Sequence, residues 1–373
     1  MKPLRLLQVY PKEDTFTGAA IQLREMAKGL AERGHQIVVA TRPSHEWTEW
    51  AQEAGVPHYG LPMRHPLDLA SVRGLIRVVR DHRIQVVHAH KGLARTLIFW
   101  AGLVIPSPPL VVNRGVSFRL GMGSVLAYRS RRVTKVVAVS ESIKAGMVRQ
   151  GIPAEKIEVV YSGTDTDRFN PARVSGDGIR RELGLGPNVF LITQIGVRSW
   201  KGNGDVLAAL VRVRGERPEA HLLFVGAKPQ RRQELEERAR ELGLGGAVTV
   251  WGYRTDIPEI LAATDLTVDA SYAGLGLTGT LRESLAMETP VVATAIEGNP
   301  ELVRHEVTGL LVPPRDPRVL AEAILRLMAN PILARAMARA GQKLVQESFS
   351  TRAKLDRLEA LYRALAEGWS VHP

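Results

Sequence analysis

The most informative loop of this 373-residue chain carries two cations between glycines. Residues 196–202 read Gly-Val-Arg-Ser-Trp-Lys-Gly and directly follow a short apolar run that is typical of a buried β-strand. A guanidinium and an ammonium three residues apart can converge on a diphosphate, the first as a fork and the second as a point charge. Loops also carry Arg and Lys as ordinary solvated groups, but the position at a strand end favours a functional role. We therefore expect Arg198 and Lys201 to bind an anionic group such as a diphosphate.

A second loop, rich in glycine and threonine, leads into a helical stretch. Residues 274–283 read Gly-Leu-Gly-Leu-Thr-Gly-Thr-Leu-Arg-Glu, and the start of such a helix offers free N–H groups and a positive dipole to an anion. Glu283 is suited to accept hydrogen bonds from vicinal hydroxyls such as those of a ribose. Its alternative role is a carboxylate that interacts with the helix dipole. The predicted substrate-binding residues of this segment are Leu275, Gly276, Thr278, Gly279, Thr280, Arg282 and Glu283.

The first half of the chain carries two weaker signals. Gly18 and Ala19 begin a helix after the first predicted strand, where the backbone can approach an anionic ligand, although every strand-to-helix turn looks similar. His88 and His90 close a later strand, and we expect them to face opposite sides of the sheet, so that one face does not present both to a metal. His90 is the candidate for a polar contact with substrate, and a structural role fits it equally well. No metal site is predicted, and the absence of cysteine excludes disulfides and thiolate ligands.

Short apolar runs alternate with helical stretches along the chain, which predicts parallel sheets built from β-α-β units. Six strands are predicted in the first half, at residues 4–9, 36–40, 85–89, 110–113, 135–139 and 157–160. Six more are predicted in the second half, at residues 189–194, 221–225, 247–250, 266–269, 290–293 and 309–312. We expect two doubly wound α/β domains, 1–171 and 172–350, followed by a helix within 351–373 that packs across both. Ligands of such domains bind at the carboxyl ends of the strands, here in the cleft between the two.

Positive charge is concentrated in the first half of the chain. Residues 1–171 hold 24 Lys and Arg against 14 Asp and Glu, a net +10 within a total of +12. This asymmetry predicts an anionic partner such as a membrane surface or an acidic glycan, with a generally basic surface as the alternative. Nucleic acid is not expected, because no zinc, helix-turn-helix or aromatic–basic signature occurs. No apolar run approaches the roughly 18 residues of a membrane span, and the N-terminus is unlike a signal peptide, so we expect a cytoplasmic protein.

Taken together, these segments resemble glycosyltransferase family 4, the retaining GT-B enzymes that use nucleotide sugars, over nearly the whole chain. In chain order, the similar segments are 139–141, 156–165, 169–171, 196–202, 265–271, 283–293, 298–303, 308–314, 349–350 and 361–362. By this resemblance, Arg198 and Lys201 are the catalytic residues, which hold the donor diphosphate and stabilise the negative charge that develops on it. Glu283 would bind the ribose, and the amides of residues 278–280 would cradle a phosphate. Gly18 would lie under the reacting sugar.

Two positions depart from the pattern of the family. The family's first glutamate, eight positions before the second, would stand at residue 275, where this chain has Leu275. That glutamate normally contacts hydroxyls of the donor sugar, so a different sugar contact is expected here. Arg114, followed by glycine, occupies the place of the family's His-Gly pair at the end of the fourth predicted strand, and we include it among the candidate substrate contacts.

The resemblance implies a metal-independent, retaining transfer of a sugar from a nucleoside diphosphate, with UDP slightly favoured, to a hydroxyl of a lipid or cell-surface glycan. It implies no cofactor besides the nucleotide sugar. The expected place is the cytoplasm, with reversible contact to the inner face of the membrane. The alternatives are a non-catalytic partner subunit with the same fold, and another GT-B enzyme such as a sugar-nucleotide epimerase. Retention of both predicted cations, Arg198 and Lys201, disfavours the partner subunit.

Overall fold

The computed structural model describes residues 2–273 and 276–369, which fold into two α/β units. The first unit runs to Gly163 and resumes at Thr351, and the second runs from Thr164 to Ser350. Each unit is built on one fully parallel sheet. The predicted pair of doubly wound α/β domains is confirmed.

Seven strands form one sheet in the described part of the first unit. The strands are β1 (Arg5–Tyr10), β2 (Gln36–Thr41), β3 (His58–Gly60), β4 (Val86–His90), β5 (Leu110–Arg114), β6 (Lys135–Ala138) and β7 (Ile157–Val159). The helices are α1 (Gly18–Glu32), α2 (His45–Glu53), α3 (Leu69–Asp81), α4 (Gly92–Ala101), α5 (Met122–Arg129), α6 (Glu141–Arg149) and the C-terminal helix (Thr351–Glu367). The strand order is β3-β2-β1-β4-β5-β6-β7, with every neighbouring pair parallel.

The path of the chain through this sheet decides which helices share a face. From β1 the chain moves through β2 to β3 at one edge, crosses back to β4, and continues to β7 at the other edge. Right-handed crossovers therefore place α1 and α2 on one face and α3 to α6 on the opposite face. The C-terminal helix packs against α1. Its buried residues Leu355, Leu358 and Tyr362 join the core that α1 forms with β1 and β2.

The described residues of the second unit form six strands, again in one sheet. The strands are β8 (Phe190–Ile195), β9 (Ala220–Val225), β10 (Val248–Trp251), β11 (Leu266–Asp269), β12 (Val291–Thr294) and β13 (Leu310–Val312). The helices are α7 (Asp177–Glu182), α8 (Asn203–Glu216), α9 (Pro229–Glu241), α10 (Ile257–Ala263), α11 (Gly279–Ala286), α12 (Asn299–Leu302), α13 (Pro317–Ala329) and α14 (Pro331–Leu344). The strand order is β10-β9-β8-β11-β12-β13, and all pairs are parallel.

Each sheet reverses its strand order at one point. The reversal lies between β1 and β4 in the first unit and between β8 and β11 in the second. Open α/β sheets bind ligands outside the carboxyl ends of their strands at such a point. The loops after β8 and β11 therefore mark the expected ligand position of the second unit, and those after β1 and β4 mark that of the first.

All twelve predicted strands are present, and their ends lie within one residue of the prediction. The edge strand β3 was not predicted. Its three residues, His-Tyr-Gly, are too few to show the alternation of apolar and polar side chains that indicates a strand.

The boundary between the units differs from the predicted one. It lies between Gly163 and Thr164, and not after residue 171. The amide of Thr164 donates to the carbonyl of Phe349 at 2.8 Å, and Thr164 pairs with Ser350, so this segment is tied to the end of the second unit. The prediction relied on turn-forming residues, which mark a break in periodicity but not a pairing of distant segments. The C-terminal helix belongs to the first unit and is not a separate third segment.

Within residues 2–273 and 276–369, no helix has both the length and the apolar character that crossing a bilayer requires.

Candidate functional site

A buried ion pair lies where the strand order of the second sheet reverses. Lys201 Nζ is 2.7 Å from Asp269 Oδ2, and both side chains are almost completely buried. Asp269 ends β11, and Lys201 belongs to the turn after β8. Burial acts to raise the pKa of Asp269, but the Lys201 ammonium and a hydrogen bond from the Ser271 amide outweigh it and lower that pKa below its ordinary value. The Asp269 carboxylate is therefore ionised, and it fixes the position of the Lys201 ammonium.

A glycine lets the two turns meet at this point. Gly202 has a φ of +62°, and a Cβ atom there would lie 2.1 Å from the carbonyl oxygen of Ala270. The carbonyl of Lys201 accepts a hydrogen bond from Gln194 Nε2 at 2.6 Å. Asn203, the first residue of α8, donates in turn to Gln194 Oε1 at 2.9 Å. Contacts from β8 and α8 thus fix the backbone that carries the buried ammonium.

Arg198, the other predicted cation, has a different environment. It is exposed, and its guanidinium lies over the Trp200 ring at 5.7 Å from the centroid. Tyr272 donates its hydroxyl to the carbonyl of Ser199 at 2.5 Å, and the guanidinium of Arg315 covers the Tyr272 ring at 4.3 Å. The two predicted cations therefore share one turn, but one is buried and paired while the other lies at the surface.

A line of hydrogen bonds connects the end of β11 to the start of α11. Thr294 Oγ1 donates to the carbonyl of Ser271 at 2.5 Å, and Asn299 Nδ2 donates to the carbonyl of Thr294 at 3.0 Å. Thr278, the residue before α11, donates its hydroxyl to Asn299 Oδ1 at 2.8 Å and does not cap the helix. Among the described residues, the side chain at the N-cap position therefore leaves the first turn of α11 uncapped. Such a helix start is suited to bind an anion.

Arg282 and Glu283 both approach the first residue of α11. A Cβ atom at Gly279 would lie 3.6 Å from Arg282 Nη2 and 3.8 Å from Glu283 Oε1. Arg282 is buried and Glu283 is half-buried. Burial raises the pKa of Glu283, and the positive charges of Arg282 and Arg168 oppose that shift. A carboxylate at this position can accept hydrogen bonds from the hydroxyl groups of a ligand at the helix start.

The loop before α11 is held by close backbone packing. A Cβ atom at Gly298, next to α12, would lie 2.0 Å from the carbonyl oxygen of Gly276. Thr280, in the first turn of α11, is half-buried. Leu275 lies outside the described residues, so the altered sugar contact at that position stays a prediction.

The structure corrects the expectation for the two histidines of the first unit. Residues two apart in a strand point to the same face, and the rings of His88 and His90 stack with centroids 4.3 Å apart. His88 Nδ1 lies 2.6 Å from Tyr362 Oη, and His90 Nε2 lies 3.0 Å from Gln8 Oε1. Burial lowers the pKa of His88 to about 3 and that of His90 well below its ordinary value, so both rings are neutral. These contacts support the structural alternative for His90.

The other predicted residues of the first unit lie at or just after the carboxyl ends of β1 and β5. Gly18 is exposed, with open space where a Cβ atom would be, and Ala19 is half-buried. Arg114 ends β5, is half-buried, and donates to the carbonyl of Phe118. Burial lowers the pKa of Arg114. Because parallel strands end at the same edge, these groups share one edge of the sheet.

Sequence reasoning missed three residues that organise the second unit's site: Asp269, Thr294 and Asn299. Asp269 carried a usable signal, because a carboxylate that ends a strand reading Leu-Thr-Val is expected to be buried and to need a partner. Thr294 and Asn299 carried none, since they act through hydrogen bonds to distant segments. Among the residues that the structure describes, no group of three or more His, Cys, Asp or Glu is placed to hold a metal ion.

Two families match the chain, one in each half. Glycosyltransferase Family 4 matches residues 16–168, and Glycosyl transferases group 1 matches residues 186–330. A D-inositol 3-phosphate glycosyltransferase of Segniliparus rotundus is 30% identical, over 95% of this chain and 86% of that protein. N-acetyl-alpha-D-glucosaminyl L-malate synthase of Bacillus anthracis is 24% identical, over 92% of this chain and 93% of that protein.

Solved structures share the fold. A glycosyltransferase from Rickettsia africae has a TM-score of 0.89 at 21% identity, covering 99% of this chain and 100% of that one. Anabaena HepE, solved in complex with UDP, has a TM-score of 0.85 at 23% identity, covering 97% of this chain and 100% of that one. The chain therefore belongs to glycosyltransferase family 4 and is a glycosyltransferase with the GT-B fold of two Rossmann-like α/β domains.

Proposed function

We propose that the protein transfers a sugar from a nucleoside diphosphate sugar, with UDP favoured, to a hydroxyl of a lipid or cell-surface glycan, with retention of anomeric configuration. The observation that supports this most directly is the arrangement where the second sheet reverses its strand order. A buried lysine, a helix start that the Thr278 side chain does not cap, and a half-buried glutamate beside that start all belong to this region. These groups suit the diphosphate and the ribose hydroxyls of a nucleotide.

Each group has a role that its chemistry supports. Lys201 and Arg198 would balance the negative charge that develops on the leaving diphosphate. The amides in the first turn of α11 would bind phosphate oxygens. Glu283 would accept hydrogen bonds from the ribose hydroxyls. Transfer would then depend on holding donor and acceptor in a reactive geometry and on stabilising charge, without a metal ion.

The donor sugar needs partners other than the side chain at residue 275. Leucine does not accept hydrogen bonds, and each buried hydroxyl left unpaired would cost about 1–3 kcal/mol. The nearby polar groups that could replace a carboxylate are the Arg282 guanidinium and the backbone at Gly276 and Gly279. We therefore propose that Leu275 marks a changed sugar contact and not a lost activity.

The preference for UDP is supported by structures that share the fold. Anabaena HepE was solved with UDP and also with UDP-glucose. A relative from Mycobacterium tuberculosis, 29% identical over 68% of this chain and 66% of that protein, is named as a GDP-mannose-dependent mannosyltransferase. GDP is therefore the competitor that a test of the donor must include.

The acceptor side of the proposal is supported by charge. The net +10 of residues 1–171 favours an acceptor presented at an anionic surface, and a cytoplasmic enzyme in reversible contact with the inner face of the membrane would meet such a surface. Lipid-linked and membrane-proximal glycans are the acceptors that this location would offer.

A thermal-shift screen with UDP, GDP, ADP and their sugars tests the donor. A ligand that binds only the folded state at 100 times its Kd adds about 2.7 kcal/mol of stability, so UDP should raise the melting temperature measurably more than GDP or ADP. The UDP-sugar that binds should be hydrolysed slowly to UDP when no acceptor is present. Nucleotide binding without any turnover would indicate a partner subunit. A changed sugar still attached to the nucleotide would indicate an epimerase. Either result would overturn the proposed transfer.

A further inference from the structure

Positive charge in the first unit is concentrated around helices α3, α4 and α5. These helices lie side by side on one face of the seven-stranded sheet, because successive right-handed crossovers place them there. Residues 64–132, which include all three, hold 12 Lys and Arg against 2 Asp and Glu, a net +10 in a chain of net +12. One of the two acids, Asp68, is buried and caps α3. Little acidic surface is left in this stretch to balance the basic side chains.

Six arginines of this layer are exposed without a neutralising neighbour. Within the described part of the chain, none of the six lies at ion-pair distance from a carboxylate. Three of them share one face of α3, and three lie on or beside α5: Arg73, Arg77, Arg80, Arg119, Arg129 and Arg131. By contrast, most exposed arginines of α9 in the second unit pair with a glutamate three or four residues away. The charge of the layer is therefore available to an external anion.

Large apolar side chains are exposed among these arginines. Met122 and Leu126, one turn apart on α5, are 86% and 67% exposed, and Phe118 just before the helix is 60% exposed. Tyr128 is the buried residue of α5. Single exposed apolar residues are ordinary, but several beside unpaired arginines on one helix indicate an interaction surface.

We propose that these side chains insert into an anionic phospholipid bilayer. The α5 surface, formed by Phe118, Arg119, Met122, Leu126, Arg129 and Arg131, would bury its apolar side chains at the level of the head groups. Its arginines, together with those of α3, bind lipid phosphates. The inference rests on the proposed function in one respect, since a lipid or membrane-proximal acceptor would be met at this bilayer. It goes beyond charge attraction, because it assigns apolar side chains that enter the membrane.

Other occupants fit the α5 surface less well. An acidic glycan offers negative charge but no apolar region to receive Met122 and Leu126. A second copy of the chain would bring the same unpaired arginines face to face in a symmetric contact, which like charges oppose. An anionic bilayer offers lipid phosphates to the arginines of the α5 surface and, directly beneath them, an apolar layer to its Met and Leu side chains.

Co-sedimentation of the full chain with vesicles tests the partner. Wild type is expected to pellet with phosphatidylglycerol vesicles and to stay in solution with phosphatidylcholine vesicles. The double variant Met122→Gln/Leu126→Gln should bind phosphatidylglycerol at least about fivefold more weakly, because two apolar groups no longer enter the bilayer. Ile332→Gln removes an equally exposed apolar side chain, 77% exposed in the second unit, and should bind like wild type. Equal binding to both lipids, or a double variant that binds like wild type, would overturn the proposal.

A single-site probe separates insertion from charge attraction. The chain has no cysteine, so Met122→Cys labelled with an environment-sensitive fluorophore reports on one position. Its emission should shift to the blue when phosphatidylglycerol vesicles are added, and the emission of labelled Ile332→Cys should not. Vesicle binding without a shift at residue 122 would leave only electrostatic attachment and would contradict insertion.

Charge variants test whether vesicle binding depends on the arginines of the α5 surface or on the net charge of the chain. Arg129→Gln/Arg131→Gln and Arg335→Gln/Arg339→Gln remove the same number of exposed charges, from α5 and from α14 respectively. The first pair should weaken vesicle binding by about fivefold per charge, and the second pair should have a much smaller effect. An equal loss from both pairs would mean that net charge alone attracts the protein, and the assigned surface would be wrong.

Parallel measurements keep this inference separate from the proposed transfer. UDP affinity of Met122→Gln/Leu126→Gln should equal that of wild type. If wild type binds vesicles but no nucleotide sugar, the transfer proposal fails and the surface stands. If it binds nucleotide but no vesicles, the surface proposal fails alone. A concentration-dependent dimer that the double variant abolishes, with vesicle binding intact, would assign the surface to self-association.

Discussion

At the scale of single residues, the two predicted cations are held in different ways. Lys201 is buried against Asp269, while Arg198 is exposed over the ring of Trp200. Removing one partner of a buried ion pair leaves the other charge in a poorly solvated place, whereas an exposed charge keeps its water. A loss of activity after mutation of Lys201 therefore combines lost stability with lost function, whereas a loss at Arg198 reports on function alone.

Lys201→Met is expected to lower the free energy of unfolding by about 3–5 kcal/mol, because Asp269 then remains buried without a counter-ion. Arg198→Met, the matched substitution of an exposed cation, should stay within about 0.5 kcal/mol of wild type. Both variants should lower kcat at least about tenfold if both residues stabilise the leaving diphosphate. Urea unfolding and steady-state kinetics measure the two effects. Equal stabilities would contradict a buried ion pair, and unchanged kinetics of Arg198→Met would remove that residue from the mechanism.

The double variant Lys201→Met/Asp269→Leu separates stability from function. Replacing both members of a buried pair by apolar groups of similar size is often neutral or stabilising. This variant should recover most of the stability that Lys201→Met loses, yet remain inactive, because the cation at the diphosphate is still absent. Recovered activity would show that Lys201 is needed only to neutralise Asp269.

Glu283→Gln should weaken UDP binding by about 1.5–3 kcal/mol, because a charged acceptor of ribose hydrogen bonds is lost. Glu237→Gln, an exposed glutamate on α9, is the control and should leave UDP affinity unchanged. Calorimetry with UDP, without a sugar attached, measures the effect. Unchanged affinity would return Glu283 to the alternative role of a carboxylate near a helix start.

The same substitution is expected to stabilise the fold at neutral pH. Burial raises the folded-state pKa of Glu283 above the unfolded value near 4.5. The folded state therefore holds its proton more tightly, and ionising the group costs stability as the pH rises above the unfolded pKa. A neutral glutamine avoids that cost, so its melting temperature should exceed that of wild type at pH 7 and the difference should shrink as the pH falls toward 4.5. A constant difference across this range would contradict the raised pKa.

At the scale of elements, the loop before α11 depends on a close approach to the segment before α12. Gly298→Ala would place a Cβ atom 2.0 Å from the carbonyl oxygen of Gly276, so the loop must shift. We expect a loss of about 1–3 kcal/mol in the free energy of unfolding together with weaker UDP binding, because the loop leads into the proposed phosphate-binding helix start. Urea unfolding and calorimetry test this.

Gly215→Ala is the matched control for the loop. Gly215 lies inside α8 with no atom within 4 Å of its Cβ position, and alanine there should stabilise the helix by about 0.5–1 kcal/mol without changing UDP affinity. If Gly298→Ala behaves like this control, the close packing of the loop has no role in the site.

At the scale of the whole molecule, the C-terminal helix closes the core of the first unit. Its Tyr362 contacts His88 of β4 across 274 residues of sequence. Leu355 and Leu358 of the same helix enter the core next to α1. The last helix of the chain is thus part of the first unit, and its loss would expose that core.

The buried histidines predict how stability responds to pH. Burial lowers the pKa of folded His88 to about 3, whereas an unfolded histidine titrates near 6.5. Below about pH 6.5 the unfolded state therefore binds a proton that the folded state does not, and stability falls as the pH drops, by up to about 1.4 kcal/mol per pH unit for one such group. His88→Gln should make the dependence of the urea midpoint on pH between 6.5 and 5 less steep, while His90 continues to contribute to it. His45→Gln, at an exposed position, should leave it as in wild type, and an unchanged slope in His88→Gln would contradict a neutral buried ring.

The sequence by itself determined the architecture and the edge of the sheet at which a ligand is expected. Apolar periodicity is a local property, so twelve strands could be placed to within one residue. The alternation of strands and helices then requires parallel sheets, whose strand ends lie at one edge. This brings residues 196–202 and 276–280 to the carboxyl edge of the second sheet. The order of these motifs also identified the family, which the comparisons confirm.

The tertiary structure alone decided which of these groups meet. Lys201 pairs with Asp269 across 68 residues, and Thr164 pairs with Ser350, because the strand order and the return of the chain bring them together. Periodicity reports which side of an element is apolar, but it does not encode contacts between elements. The stacking of His88 and His90 is a different case, since the two-residue period of a strand already places both rings on one face, and the expectation of opposite faces was wrong. The exposure of Met122 and Leu126 also depended on the fold, because an apolar residue shows its partner, or the lack of one, only when its neighbours are in place.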